Sequence, residues 1–423
     1  VKHKAFYIYQ VADIIFTSSC RSVGMLLAWV MINHHGLKVE LGWFITLSWA
    51  LQVITLITFS SLSERLNKKS ILLICSALSV ASLLILGFDQ SLDPFKLGSI
   101  YVLTSILCIV IQPIGSSIVP TLYKGNHIER AFRIRGFVNS INTVLGAVFS
   151  GFIIKSLNEN DIIILIVALM SMSFILFLSI KIEGDKTNKS IGCTQILAHV
   201  FLNNKIERLL VSISALSNFV LTPTIMYIAP ILVVDKYNLS SLELGFSEAT
   251  FGSGMIFGSM FFCKKVNKLL GVRHSTVLGI VLVSLGLLIV LTISSIYSLY
   301  IGFFVSGLGM VIYNINTTKI RCTATPVNIR NSFESIFIAI CILPIPAGVA
   351  FSTYLIDFYR VEVLLAFFSI SIFASSITVL RSKDFAVISS ISEDKLDGYY
   401  SKMYPHAYLK SFDIAENKPP RAG

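Results

Sequence analysis

Apolar runs of about 20 residues follow one another along almost the whole chain, separated by short polar connections, and they stop only near residue 381. The runs cover 6–33, 41–62, 70–88, 98–122, 134–156, 162–182, 209–234, 242–262, 276–295, 298–318, 333–356 and 361–380. A helix needs about 20 mostly apolar residues to cross the hydrocarbon core of a bilayer, so each run is long enough to span it and far longer than a barrel strand. The pattern predicts an all-α integral membrane protein with twelve transmembrane helices. The first run is too long for the core of a secretory leader and lacks a small-residue cleavage site, so it is expected to remain as a helix.

The longest polar interruption before the tail divides the runs six and six. This gives a first six-helix half at 1–182, a cytoplasmic linker at 183–208, a second half at 209–381 and a flexible cytoplasmic tail at 382–423. The connection between the fourth and fifth runs has a related form in each half. Pro120 precedes Glu129-Arg130-Ala131-Phe132 in one, and Pro326 precedes Arg330-Asn331-Ser332-Phe333 in the other. Internal repetition of this kind places a substrate cavity between the halves, with alternating access by rocking one on the other. Small residues cluster where halves should touch: Gly136, Ser140, Gly146 and Gly151 in the fifth run, and Gly245, Gly252, Gly254 and Gly258 in the eighth. Pro223, Pro230, Pro344 and Pro346 are expected to kink the seventh and eleventh.

Charge gives the orientation. The net charge of +11 suggests nucleic acid only until the helices are drawn. Lys and Arg then gather on one side, from Lys2 and Lys4 through Arg65, Lys68, Lys69, Lys124, Arg130, Arg133, Arg135 and the 183–208 linker to Lys264, Lys265, Lys268, Arg273, Lys319, Arg321 and Arg330. The opposite loops carry only Lys38, Lys96, Lys155, Lys236 and Arg360. The positive-inside rule therefore puts both termini in the cytoplasm and leaves the bilayer, not nucleic acid, as the partner of the fold. The cysteines show no paired ligand spacing and read as buried apolar side chains, and His34-His35 reads as a solvated loop. No metal, no cofactor and no nucleophile–base constellation is indicated, so an enzyme is not expected.

An ionisable side chain inside the membrane costs at least about 2.5–3.5 kcal/mol, which makes one that persists a functional candidate. Asp13 and Arg21 share the first run, roughly 80° apart in angle but about 12 Å apart in rise, so each should meet the cavity or a partner on another helix rather than the other. Protonation or substrate recognition at Asp13 and anion attraction at Arg21 stand against a fixed interhelical pairing. Glu248 reads either as a second titrating carboxylate or as a solvated group at the membrane edge. Gln112, Asn139, Asn142, Asn218, Tyr227, Asn314 and Asn316 can supply neutral hydrogen bonds to a cavity or between helices. Arg330 and Glu334, opening the eleventh run, read as gate contacts.

The connection after the second run reads Ser60-Ser61-Leu62-Ser63-Glu64-Arg65-Leu66-Asn67-Lys68-Lys69-Ser70, which resembles the loop signature of the major facilitator superfamily, with Glu64 for the usual Asp and Ser60 and Asn67 where glycines are usual. Gln10, Ser18-Ser19, Ala28-Trp29 and Leu41-Gly42, with the stretch from Arg130-Ala131 to Gly151, look like the efflux branch that holds macrolide exporters and the enterobactin exporter. Gly146-Ala147-Val148-Phe149-Ser150-Gly151 is similar to the antiporter glycine signature, with Ala147 in the proline position; the branch's fourth-helix arginine has no counterpart in 101–122. The resemblance implies a monomeric, multi-pass inner-membrane secondary transporter. It would export a drug, siderophore, peptide antibiotic or other natural product, with proton coupling and a role in antibiotic resistance or self-immunity. It also implies a conformational latch at Glu64 and Arg65, with Lys68, Lys69 and Arg130 beside it. An importer of the same fold and a non-transporting receptor or scaffold are the alternatives.

Overall fold

The computed structural model describes residues 2–63, 67–87, 93–122, 127–180, 194–293, 295–326 and 329–408, with the backbone alone at some helical positions, among them 59–63, 115–122, 127–133, 139 and 194–198. All regular structure in this part is helical. Lipid offers backbone amides no hydrogen bonds, so each spanning segment has to satisfy its own, and helices do this within the segment.

The first half holds α1 (Lys2–Trp29), extended by a π-helical turn at Val30–His34, then α2 (Lys38–Ser63), α3 (Lys68–Gly87), α4 (Pro94–Leu122), α5 (His127–Ser156) and α6 (Glu159–Ser179). A short α7 (Thr194–Asn203) lies in the predicted linker, with Val200 and Phe201 buried. The second half starts with α8 (Lys205–Pro223), which passes through π-helical turns at Thr224–Ile228 and Leu232–Lys236 on either side of α9 (Ala229–Ile231). It continues with α10 (Ser241–Phe257), α11 (Cys263–Thr292), α12 (Ile296–Ala324), α13 (Arg330–Ile342), α14 (Ile345–Phe358) and α15 (Val361–Arg381). Ten stretches among the described residues are long and apolar enough to cross a membrane. One of these, Ser241–Thr292, holds two passes parted at Gly271, where φ is 75° and only glycine is unstrained. Counting both, and adding α5 with its shorter apolar stretch Ile141–Ser156, gives the expected twelve.

The predicted proline sites interrupt their helices. A π-helical turn follows Pro223, and the eleventh pass breaks at Leu343 and Pro344 into α13 and α14. The tail departs from expectation. It is helical over α16 (Lys383–Ser390), α17 (Glu393–Leu396) and α18 (Tyr399–Met403), and Phe385, Ile388, Tyr400 and Tyr408 are buried. Its apolar anchors fall at helical spacings only in short sets, Phe385 with Ile388 and Tyr400 with Tyr404 and Tyr408, parted by the mostly polar 392–398, and they find places on the second half.

The halves meet reciprocally: α5 packs along α10, and α2 along α14. The second pass of each half thus touches the fifth of the other, as two related halves about a pseudo-two-fold require. At one end of the seam Gly42 lies against Thr353 and Lys38 pairs with Asp235, which closes the halves on each other there. At Gly151 a Cβ would stand 2.5 Å from the backbone oxygen of Ser241 and 3.1 Å from the Cα of Gly245. Of the glycines expected at this seam, Gly151, Gly245 and Gly252 face the other half, whereas Gly146 packs on Ser18 of α1, and Gly254 and Gly258 on α12, each within its own half. The reason is angular: positions two apart on a helix point to opposite sides.

Backbone cannot retreat as a side-chain tip can, so Gly151→Val is expected to part α5 from α10. With cysteines placed at Lys38 and Asp235, disulfide formation should fall from the majority of molecules to a minority in that variant. Unchanged cross-linking would show that the seam tolerates the added bulk.

Candidate functional site

Tyr9, Asp13, Thr17 and Arg21 recur at every fourth position of α1 and so form one stripe along it. That stripe lies against α5. Asp13 Oδ2 accepts a hydrogen bond from Arg135 Nη1 at 3.1 Å, both residues being 6% exposed, and the Arg135 guanidinium sits 5.7 Å from the centre of the Tyr9 ring. Arg135 Nη2 also approaches the backbone oxygen of Gln112 at 3.4 Å. One to two turns on, Asn142 Nδ2 donates to Thr17 Oγ1 at 2.8 Å and its Oδ1 accepts from Ser18 Oγ at 2.5 Å. Ser22 and Ser150 share a hydrogen bond of 2.8 Å beyond that. The two helices are therefore joined by a ladder of polar contacts inside the first half, in a setting where such groups have to find partners.

At Arg21 the ladder reaches the other half. Its Nη1 donates to the Thr143 backbone oxygen at 2.8 Å and lies 3.8 Å from Glu248 Oε2 on α10. The side chains are 34% and 17% exposed, so this pair, unlike that of Asp13 with Arg135, borders open space. At 3.8 Å it is an electrostatic pairing without a hydrogen bond, and the guanidinium keeps donors for another acceptor. Chemically, the arrangement sets a cation and a carboxylate from opposite halves in one partly open place. A proton on the carboxylate or an anion on the guanidinium would part them.

As anticipated, Asp13 and Arg21 do not meet each other, and each has a partner on another helix. Arg135 corrects the sequence reading, which placed it among the cytoplasmic basic residues; it is buried, because α5 continues one turn and more beyond its apolar stretch. The available signal was an aspartate deep in an apolar run, which demands a cation, and an arginine one residue inside the run 134–156. Glu248 likewise faces a partner rather than standing solvated at the edge.

The other candidates disperse. Asn218 ties α8 to the Cys341 backbone oxygen at 2.8 Å, and Asn316 is buried among Asn267, Ser275 and Thr276. Tyr227 is fully buried within the π-helical turn Thr224–Ile228, Gln112 is exposed, and Asn314 borders a shallow surface depression with the exposed Ile315, Thr318 and Lys319. Glu334 holds Arg321 through two hydrogen bonds of 2.7 and 2.8 Å, and Arg330 pairs with Asp397 at 3.2 Å. Arg321, read from the sequence as a loop cation, is 3% exposed with its guanidinium 3.5 Å from the centre of the Phe337 ring. Lys69 bonds the Leu178 backbone oxygen at 2.9 Å within the first half, and Lys68 opens α3. Glu64, Arg65 and the side chains of Arg130 and Asn139 lie outside the described residues.

Residues 12–195 and 209–396 match the family model described as Major Facilitator Superfamily. No curated protein matches the sequence. Among solved structures, the nucleoside transporter NupG is similar with a TM-score of 0.70 at 14% identity, over 90% of this chain and 100% of that one. A POT family transporter in complex with 5-aminolevulinic acid aligns with a TM-score of 0.72 at 12% identity, over 89% and 95%. The D-xylose-proton symporter gives 0.68 at 11%, over 93% and 98%. At these identities the likeness is one of fold.

Proposed function

The chain belongs to the Major Facilitator Superfamily, and from that premise we propose that it is a proton-coupled secondary exporter of a small natural-product-like solute, working by alternating access in an inner membrane with both termini cytoplasmic. The observation that carries the reading is the pairing of Arg21 in the first half with Glu248 in the second. In alternating access the halves separate first on one side and then on the other, and charges held across their seam are the groups whose pairing changes between states. A proton arriving at Glu248 removes the counter-charge of Arg21 and frees it for an anionic group of the cargo. Departure of the proton restores the pair. Asp13, held by Arg135, keeps α1 seated on α5 so that Arg21 stays in reach of α10.

The closed end, marked by Lys38 with Asp235 and by Gly42 against Thr353, is the external one under the positive-inside orientation. Cargo then enters from the cytoplasm, the direction that the efflux-branch resemblance implies. The chain acts as a monomer, since both halves of the seam come from one chain.

Import through the same site is the second reading, favoured by the likeness to a symporter and to peptide and nucleoside transporters. The two differ in sign. Expressed in an efflux-deficient host, the protein is expected to lower the accumulation of at least one member of a panel of antibiotics, siderophores and peptide toxins, and a protonophore should abolish the difference. A protein-dependent rise in accumulation would establish import instead.

A further inference from the structure

The eleventh pass carries a hinge and a fastening. Its first part, α13, is separated from α14 by the break at Leu343 and Pro344, so its backbone hydrogen bonds do not run through into the rest of the pass. Its far end, at Arg330, lies on the side opposite the closed seam, and α13 touches α2 of the other half as well as α7 and α8. A half-helix with a break at one end can move as a unit unless the other end is held.

That other end is held twice, by Glu334 on Arg321 of α12 and, nearer the surface, by the tail. Arg330 Nη2 reaches Asp397 Oδ1 at 3.2 Å, and the backbone amide of Gly398 donates to the Thr323 carbonyl at 3.1 Å on the last turn of α12. Gly398 has φ of 61°, which turns the chain back onto the bundle at a position where other residues would be strained. Tyr400, fully buried, then donates its hydroxyl to Glu207 at the start of α8. The Tyr408 hydroxyl accepts from Asn204 Nδ2 at 3.0 Å, and the same Asn204 caps α8 through the Ile206 and Glu207 amides. Burial and the neighbouring Glu207 carboxylate hold the Tyr400 phenol well above its ordinary pKa, which keeps it a donor.

Two carboxylates, Glu207 and Glu334, surround the single guanidinium of Arg321, and Glu207 Oε2 and Arg321 Nη1 have no hydrogen-bond partner among the described residues.

We infer that residues 382–408 are a built-in clasp, which fastens the free end of α13 to α8 and α12 and, when released, lets α13 swing about Leu343 and Pro344 at the mouth opposite the closed seam. Every tail contact named here is to the second half, so the clasp controls one half's own mouth helix and does not join the two halves. The inference stands apart from the direction or chemistry of transport.

Amide hydrogen exchange on the full-length protein in lipid nanodiscs tests it, because exchange reads the opening of a segment directly. In the variant combining Tyr400→Phe with Asp397→Ala, peptides covering 330–342 are expected to exchange faster by about threefold to fivefold, the scale of a half-exposed ion pair. Peptides from α14 and α10 should keep their rates, as should α13 in the exposed-site control Lys402→Ala. Unchanged exchange in 330–342 in the double variant overturns the inference, whether or not the tail itself loosens. Equal acceleration throughout the second half also overturns it, since that would be general destabilisation and not release of a hinged segment.

Discussion

Glu248→Gln is expected to abolish proton-driven accumulation while sparing exchange of cargo across the membrane, and Arg21→Ala is expected to lower both sharply. The glutamine imitates the protonated carboxylate, so the access change can proceed but no longer reports a proton. The alanine removes the group to which the proposed mechanism assigns the cargo. Hydrogen bonds involving a charged partner contribute about 1.5–3 kcal/mol, which corresponds to a loss of roughly tenfold to a hundredfold in transport. Arg21→Lys should recover part of it as a point charge without the planar fork. The measurement is paired: net transport driven by a pH gradient, and counterflow without one, in proteoliposomes containing equal amounts of each variant. Equal loss of both activities in Glu248→Gln would move proton coupling away from this pair.

Arg135→Ala should produce the largest loss of stability of any single replacement at the site. It leaves Asp13 charged and buried between α1 and α5 with its partner gone, a situation that costs about 3–5 kcal/mol, and it removes the cation from the Tyr9 ring as well. Adding Asp13→Asn to a variant carrying Arg135→Gln should restore most of the stability, because two neutral hydrogen-bonding groups replace two charges. Thermal unfolding in detergent, followed by loss of the monodisperse species, reads both changes. If the single variant unfolds at the same temperature as the wild type, the buried ion pair does not hold the first half together.

Much of the site was legible as demand and little of it as supply. Asp13 and Arg21 stood out because lipid penalises charge, and their separation along one helix already showed that they needed other partners. Which partners could not be read. Arg135 lay among basic residues that the topology rule explains equally well, and Arg321 was hidden in the same way. Glu248 sat near a helix end, where sequence alone allows water or a partner. The seam glycines were recognisable as small residues, but the division of Gly252 from Gly254 between the two halves and a single half depends on how α10 is rotated against α5 and α12. Docking of 382–408 was missed because its helical spacings, Phe385 with Ile388 and Tyr400 with Tyr408, run for only one or two turns each between polar residues.

What the sequence by itself determined is the membrane-spanning helical architecture and its division into two halves, since apolar length, charge bias and proline position act locally along the chain. Long-range pairing was left to the tertiary structure: Arg135 with Asp13, Glu248 with Arg21, and the tail with the start of α8, the last turn of α12 and the start of α13. The hydrophobic effect and lipid solvation specify that a segment is buried in the bilayer but not the angle it presents to its neighbours. That angle is chosen only when backbones close to within van der Waals contact at the glycine seams and every buried charge has to find a partner at once.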